Sequence, residues 1–141
     1  MHGVTAAASH SFEEHRSELE IRIEAPSLPA LFAEAGRSLV EVMHGTPLEA
    51  PGAWSDEIVV TARDREALLV EWLNELVFRA EVAKVLFTEF EIGRLSQREL
   101  VATVRGSRVS ALRNPVKAAT YHGLAIAAAG EGFTAKVILD V

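Results

Sequence analysis

The 141-residue chain contains no cysteine, so disulfide staples, thiolate metal sites and cysteine nucleophiles are all excluded. Aromatic residues are scarce at 6%, with a single tyrosine, Tyr121. No apolar run approaches the roughly 20 residues of a membrane-spanning helix. The start, Met1 to Ser11, has Ala6 to Ala8 but lacks a basic cluster followed by a long apolar stretch, so no secretory signal is expected. Positive charge is also short: a net charge of −6 opposes attraction to phosphate backbones, and RNA is expected to be met only indirectly, through a partner. What remains is a 49% hydrophobic chain of single-domain size whose core must carry its stability unaided, and a reducing cytoplasm fits it.

Hydrophobic periodicity predicts the elements. Glu18 to Glu24 alternates, with Leu19, Ile21 and Ile23 inward and Glu18, Glu20, Arg22 and Glu24 outward. Ser27 is placed to cap a helix carrying Leu28, Leu31, Phe32, Ala35, Leu39, Val42 and Met43, with Pro29 in its first turn and Gly45 as its stop. Thr46 to Ser55, with two prolines and a glycine, reads as a loop, and Glu57 to Ala62 as a short strand. Asp64 caps a second helix, about Arg65 to Ala80, whose stripe of Leu68, Leu69, Trp72, Leu73, Leu76 and Val77 suits covering a sheet. Val85 to Ile92, Leu100 to Arg105, Val116 to Ile126 and Phe133 to Val141 read as four further strands. The expected fold is α+β and two-layered, with both helices on one face of a largely antiparallel or mixed sheet of about six strands. Residues 1–11 are expected to be disordered and 12–141 to form one domain.

The chain ends in the apolar run Gly132 to Val141, which holds Asp140 next to the terminal carboxylate. A strand running to the last residue must be held by a neighbouring strand, which would fix Asp140 on the face opposite Phe133, Ala135, Val137 and Leu139. The bland reading of Asp140 is a solvated terminal acid. If the first and last strands are neighbours, Glu18 and Asp140, with His15 nearby, would form a weak hard-oxygen site that water, backbone carbonyls or a partner completes. Period two puts Lys117, Tyr121 and Gly123 on one face, where Lys117 and Tyr121 can act together, and Thr120 with His122 on the other. Lys117 reads equally as a solvated cation, Tyr121 as a packing residue with a wet hydroxyl, and His122 facing inward as a hydrogen-bonded core imidazole.

Five stretches, taken together and in this order, resemble the archease family. They are Phe12-Glu13-Glu14-His15, Leu68-Leu69-Val70-Glu71-Trp72-Leu73-Asn74-Glu75-Leu76, Phe87-Thr88-Glu89-Phe90, Val116-Lys117-Ala118-Ala119-Thr120-Tyr121-His122-Gly123-Leu124 and Val137-Ile138-Leu139-Asp140-Val141. The resemblance spans nearly all of the chain from Phe12. It implies a small non-enzymatic accessory protein that activates a GTP-dependent RNA ligase joining tRNA exons, by helping that ligase become guanylylated and turn over. It further implies a divalent metal, Ca²⁺ in the usual description, held by residues matching Glu18 and Asp140, with a main-chain oxygen from Val141, and a functionally important lysine at Lys117. The family usually has His-Thr-Ala-Asp where this chain has His15-Arg16-Ser17-Glu18, so the carboxylate at position 18 reaches one methylene further. Gly106 to Pro115 is also shorter than the acidic loop of many relatives.

Two other readings compete. One is a chaperone-like binding module without metal. The other is a stand-alone metal-dependent hydrolase with His15 or His122 as base, but no phosphate-cradling glycine loop, nucleophile elbow or paired-histidine metal motif supports it.

Overall fold

Alternation and capping generate most of the architecture. The computed structural model describes residues 7–45 and 52–141. Its elements are β1 (Ser9–His15), β2 (Glu18–Ala25), α1 (Leu28–His44), β3 (Trp54–Thr61), α2 (Arg65–Ala83), β4 (Val85–Leu95), β5 (Glu99–Arg108), β6 (Ala118–Ala129) and β7 (Gly132–Asp140). Both predicted caps are made: Ser27 accepts the Ala30 N–H at 3.2 Å and Asp64 accepts the Ala67 N–H at 2.8 Å, each satisfying an orphan donor of a first helical turn. No helix among the described residues is long and apolar enough to cross a membrane.

The fold is α+β, and every strand pair is antiparallel. Seven strands form two sheets, in the orders β1-β2-β7-β6 and β3-β5-β4, where one sheet of about six was expected. The additional strand is β1. Its Ser9–Ser11 portion falls in the stretch expected to be disordered, and it is held by pairing from Ser9↔Glu24 to His15↔Glu18. Its apolar signal is slight, since only Phe12 interrupts a run of polar residues, so tertiary pairing and not local propensity makes it a strand. Residues 1–6 lie outside the described residues. So do residues 46–51 of the expected loop, while Trp54 and Ser55, also assigned to that loop, open β3.

Both helices pack against both sheets, which corrects the picture of a single covered face. Helix α1 lies on β2 and β7 of one sheet and on β4 of the other; α2 lies on β6 and on β3, β4 and β5. The centre is Trp72, fully buried, whose indole N–H donates to the Phe32 carbonyl at 2.9 Å and whose ring meets Phe90 edge-on at 6.0 Å. Gly36 allows β4 to come this close, because a Cβ there would sit 2.8 Å from the Phe90 ring.

Two polar clasps tie the elements together. On α2, Asn74 donates to the Ala119 carbonyl at 3.2 Å and accepts the Ala119 N–H at 2.7 Å, so a side-chain amide stands in for the next strand at that point of β6. On β1, the two ring nitrogens of His10 face Glu34 Oε2 at 2.6 Å and Glu41 Oε2 at 3.2 Å, joining this edge strand to α1. Burial pushes the Glu34 carboxyl up, but hydrogen bonds from His10 and Arg37, together with their charges, outweigh it and hold the group below its ordinary value.

Asn74→Leu is expected to leave the Ala119 N–H and C=O without partners and to cost about 1–3 kcal/mol, read from the urea midpoint. Because the folded Glu34 carboxyl titrates below its unfolded value, its contribution is complete above pH 4.5 and is lost as pH falls through the lower folded value. Urea melts across a pH series should therefore show a shallower acid limb for Glu34→Gln than for wild type.

Candidate functional site

The pairing of β2 with β7 places Glu18 directly opposite Asp140. Side chains of directly opposed residues leave the sheet on the same face, with Cβ atoms about 4.5–5.5 Å apart. Leu19 and Leu139, one step along, face the core and are half-buried and fully buried. Glu18 and Asp140 are both half-buried and, among the described residues, neither carboxylate has an ion-pair or hydrogen-bond partner.

The last residues are pinned by main-chain bonds. The Val141 N–H donates to the Ser17 carbonyl at 3.1 Å, and the Lys117 N–H donates to the Asp140 carbonyl at 2.8 Å. Ser17 lies in the two-residue turn between β1 and β2 with φ 57°, in the left-handed region, and this directs its carbonyl to Val141. The turn, the end of β7 and the start of β6 thus meet at one corner of the sheet. Beside that corner, a cleft of about 550 Å³ is lined by Glu14, Glu18 and Glu41 over an apolar floor that includes Phe12, Leu19 and Val141.

Two unpartnered carboxylates and nearby main-chain oxygens suit a hard cation that keeps several waters. They fall short of a cage: among the described residues, no group of three or more histidine or acidic side chains converges on a common point. His15 pairs with Glu18 through the backbone ladder.

The structure assembles Glu18, Asp140, Val141 and the backbone of Lys117, and ties the Tyr121 side chain to α2. The Tyr121 hydroxyl donates to Glu71 Oε1 of α2 at 2.7 Å, and the Arg63 guanidinium lies 5.7 Å from its ring centroid. The hydrogen bond to Glu71, then burial and the Glu71 charge, raise the hydroxyl above its ordinary pKa. The Tyr121 hydroxyl is thus engaged by α2. His122, expected to face inward, is exposed. Between Thr120↔Ile138 and Ala125↔Lys136 the β6 ladder is interrupted, four residues facing one on β7, and this ends the period-two alternation on which the expectation rested.

Sequence reasoning missed Ser17 and Asn74. Ser17 acts through its carbonyl, which leaves no trace in side-chain pattern. Asn74 sits on the polar side of a helix, where its amide has no visible partner until β6 is brought up against it.

The model of the Archease protein family matches residues 10–141. Among curated relatives, the protein archease of Methanothermobacter thermautotrophicus is 31% identical over 121 residues, covering 81% of this chain and 85% of that protein. The protein archease of Methanosarcina acetivorans is 26% identical over 140 residues, covering 94% and 95%. The solution structure of protein 1598 of Methanobacterium thermoautotrophicum superimposes with a TM-score of 0.76 at 27% identity, covering 94% of this chain and 98% of the other. A Thermotoga maritima crystal structure, described as an archease and possible chaperone, has a TM-score of 0.64 at 22% identity, covers 92% and 94%, and bears on the fold alone. With a family match that runs from the first strand to the last residue, and a relative above 30% identity over most of its length, the chain belongs to the Archease protein family.

Proposed function

We propose that this protein is a non-enzymatic, cytoplasmic accessory factor that activates a GTP-dependent RNA ligase joining tRNA exons, promoting its guanylylation and multiple turnover, and that it does so through a divalent-metal site at Glu18 and Asp140. The observation that carries the reading is the Glu18↔Asp140 register, which puts two unpartnered carboxylates side by side at a pinned corner. Glu18, Asp140 and a main-chain oxygen of Val141 would hold the ion, Ca²⁺ by preference. The ion would supply a local positive charge that orders these oxygens for contact with the partner. Lys117 is exposed and tied through its N–H to Asp140, so its ammonium is rooted at the same corner and suits a phosphate or an acidic surface of the ligase. His15 and Tyr121 complete the proposed contact set, Tyr121 from the α2 side through Glu71. Contact with RNA would be through the ligase, in keeping with the net charge of −6.

A second reading, a metal-free chaperone-like module, draws on the shortage of ligands: no three acidic or histidine side chains converge among the described residues. The two readings differ in a titration. Under the metal reading, Ca²⁺ binding measured by calorimetry should be weak, on the order of 10⁻⁴ to 10⁻³ M, and Asp140→Ala should abolish the heat. Absence of heat with both Ca²⁺ and Mg²⁺ in wild type would favour the metal-free module.

Ligase assays test the activation itself. Adding this protein should convert single-turnover ligation into multiple turnover, and Lys117→Ala should lower that turnover at matched complex concentration while leaving the unfolding midpoint within about 0.5 kcal/mol of wild type. Unchanged ligase turnover on adding wild-type protein would sink the proposal.

A further inference from the structure

Two sheets leave four outer strand edges: β1, β6, β3 and β4. An edge strand presents unpaired N–H and C=O groups that recruit another strand unless charge, proline, irregularity or a covering element prevents it. Three of the four edges carry such guards. Strand β1 has Glu13 and Glu14, β3 has Asp56 and Glu57, and β4 has Glu89, Glu91 and Arg94 as well as two register breaks. Strand β6 is guarded only in its first half, where Asn74 saturates Ala119 and Tyr121 reaches Glu71. From Gly123, within the interruption, to the end of the strand, Gly123-Leu124-Ala125-Ile126-Ala127-Ala128-Ala129 has neither a charge nor a proline. Ala125, Ala127, Ala128 and Ala129 are exposed.

The register shows which main-chain groups are open. Strands β6 and β7 are joined by the two-residue turn Gly130-Glu131, closed by Ala129↔Gly132. Gly130, at φ 58°, takes the first central position of a type II′ turn, where glycine is favoured. The pair closing such a hairpin is hydrogen-bonded, so Ala129, Ala127 and Ala125 direct their backbone groups to β7 while Ala128, Ile126 and Leu124 direct theirs outward. Among the described residues, no backbone bond from elsewhere reaches those three.

We propose that this open half-edge pairs with the same segment of a second copy, antiparallel about a two-fold axis at Ile126, and joins two four-stranded sheets into one of eight strands. The open residues are symmetric about that point. Ile126 meets its own counterpart and Leu124 meets Ala128, so every outward N–H and C=O finds a partner in a self-complementary interface. Alanine side chains let the two edges approach without a clash. No like charges meet along the junction, although each copy carries a net −6. The inference does not depend on the ligase or the metal.

The absence of native cysteine makes the test direct. In a hydrogen-bonded antiparallel pair, the two copies of position 126 would have Cα atoms about 5.5 Å apart, inside the disulfide range of about 4.4–6.8 Å. Ile126→Cys should therefore form a covalent dimer rapidly under mild oxidation, while Ser55→Cys on the exposed β3 edge should not. Independently, sedimentation of wild type across a concentration series should approach twice the monomer mass, and Ala127→Lys should remain monomeric with an unchanged circular dichroism spectrum. Position 127 directs its backbone to β7, so the lysine guards the edge without breaking the hairpin. A wild type that stays monomeric at all concentrations overturns the proposal, as does Ala127→Lys dimerising like wild type or Ser55→Cys cross-linking as fast as Ile126→Cys. A monomeric wild type whose binding to an RNA ligase is lost in Ala127→Lys would instead assign the edge to a partner's strand.

Discussion

The pairing of β2 with β7 is the constraint on which everything else depends. It joins an early strand to the last one across more than a hundred residues and builds the centre of the larger sheet. Non-local antiparallel pairing of this kind carries a large loop-closure cost, which is met by burying the inner rows of both strands, Ile21, Ile23, Val137 and Leu139 among them. Because the side-chain period in a strand is two, a slip of one residue would turn a buried row such as Ile21 and Ile23 to solvent, so burial excludes that slip, and the main-chain bonds at the end of β7 fit the observed register. That register places Glu18 opposite Asp140. The candidate constellation is in this way obtained from a packing requirement.

Around that pair the chain is built to hold its final residues still. Strand β7 is central, flanked by β2 and β6, and its last carbonyl and the following N–H are both engaged by main-chain partners. The backbones that carry the two carboxylates are thereby fixed, while neither carboxylate has an ion-pair or hydrogen-bond partner among the described residues. Elsewhere in the fold acids are paired: Glu20 with Arg22 at 2.5 Å, Glu34 with His10 and Arg37, Glu75 with Arg79 at 3.2 Å. What distinguishes Glu18 and Asp140 among the described residues is that they stand directly opposite each other with no such partner.

Strand β6 shows how one element can be given two fates. Its first half is closed by α2, where the Asn74 amide takes the place of a further strand and the Tyr121 hydroxyl is tied to Glu71. The interruption after Thr120 then redirects the chain, with Gly123 lying over Ile138, and the second half emerges with small side chains and open backbone groups. The same break explains why simple alternation misplaced His122: a period of two holds only where each residue on one strand faces one on the next.

Local chemistry made much of this legible in the sequence. The helices, their Ser27 and Asp64 caps, six of the strands and the outward direction of Glu18 follow from hydrophobic period and capping residues, which act over a few neighbours and need no knowledge of the fold. The likeness of the motif blocks to the archease family added a candidate role for Glu18, Asp140 and Lys117. The rest waited for tertiary structure: β1 became a strand only because β2 offered an edge, the strands form two sheets that both helices pack against, and Ser17, Asn74 and the Tyr121–Leu124 interruption acquired meaning only through distant partners. Such features rest on backbone groups and long-range register, and neither is encoded in the identity or spacing of nearby side chains.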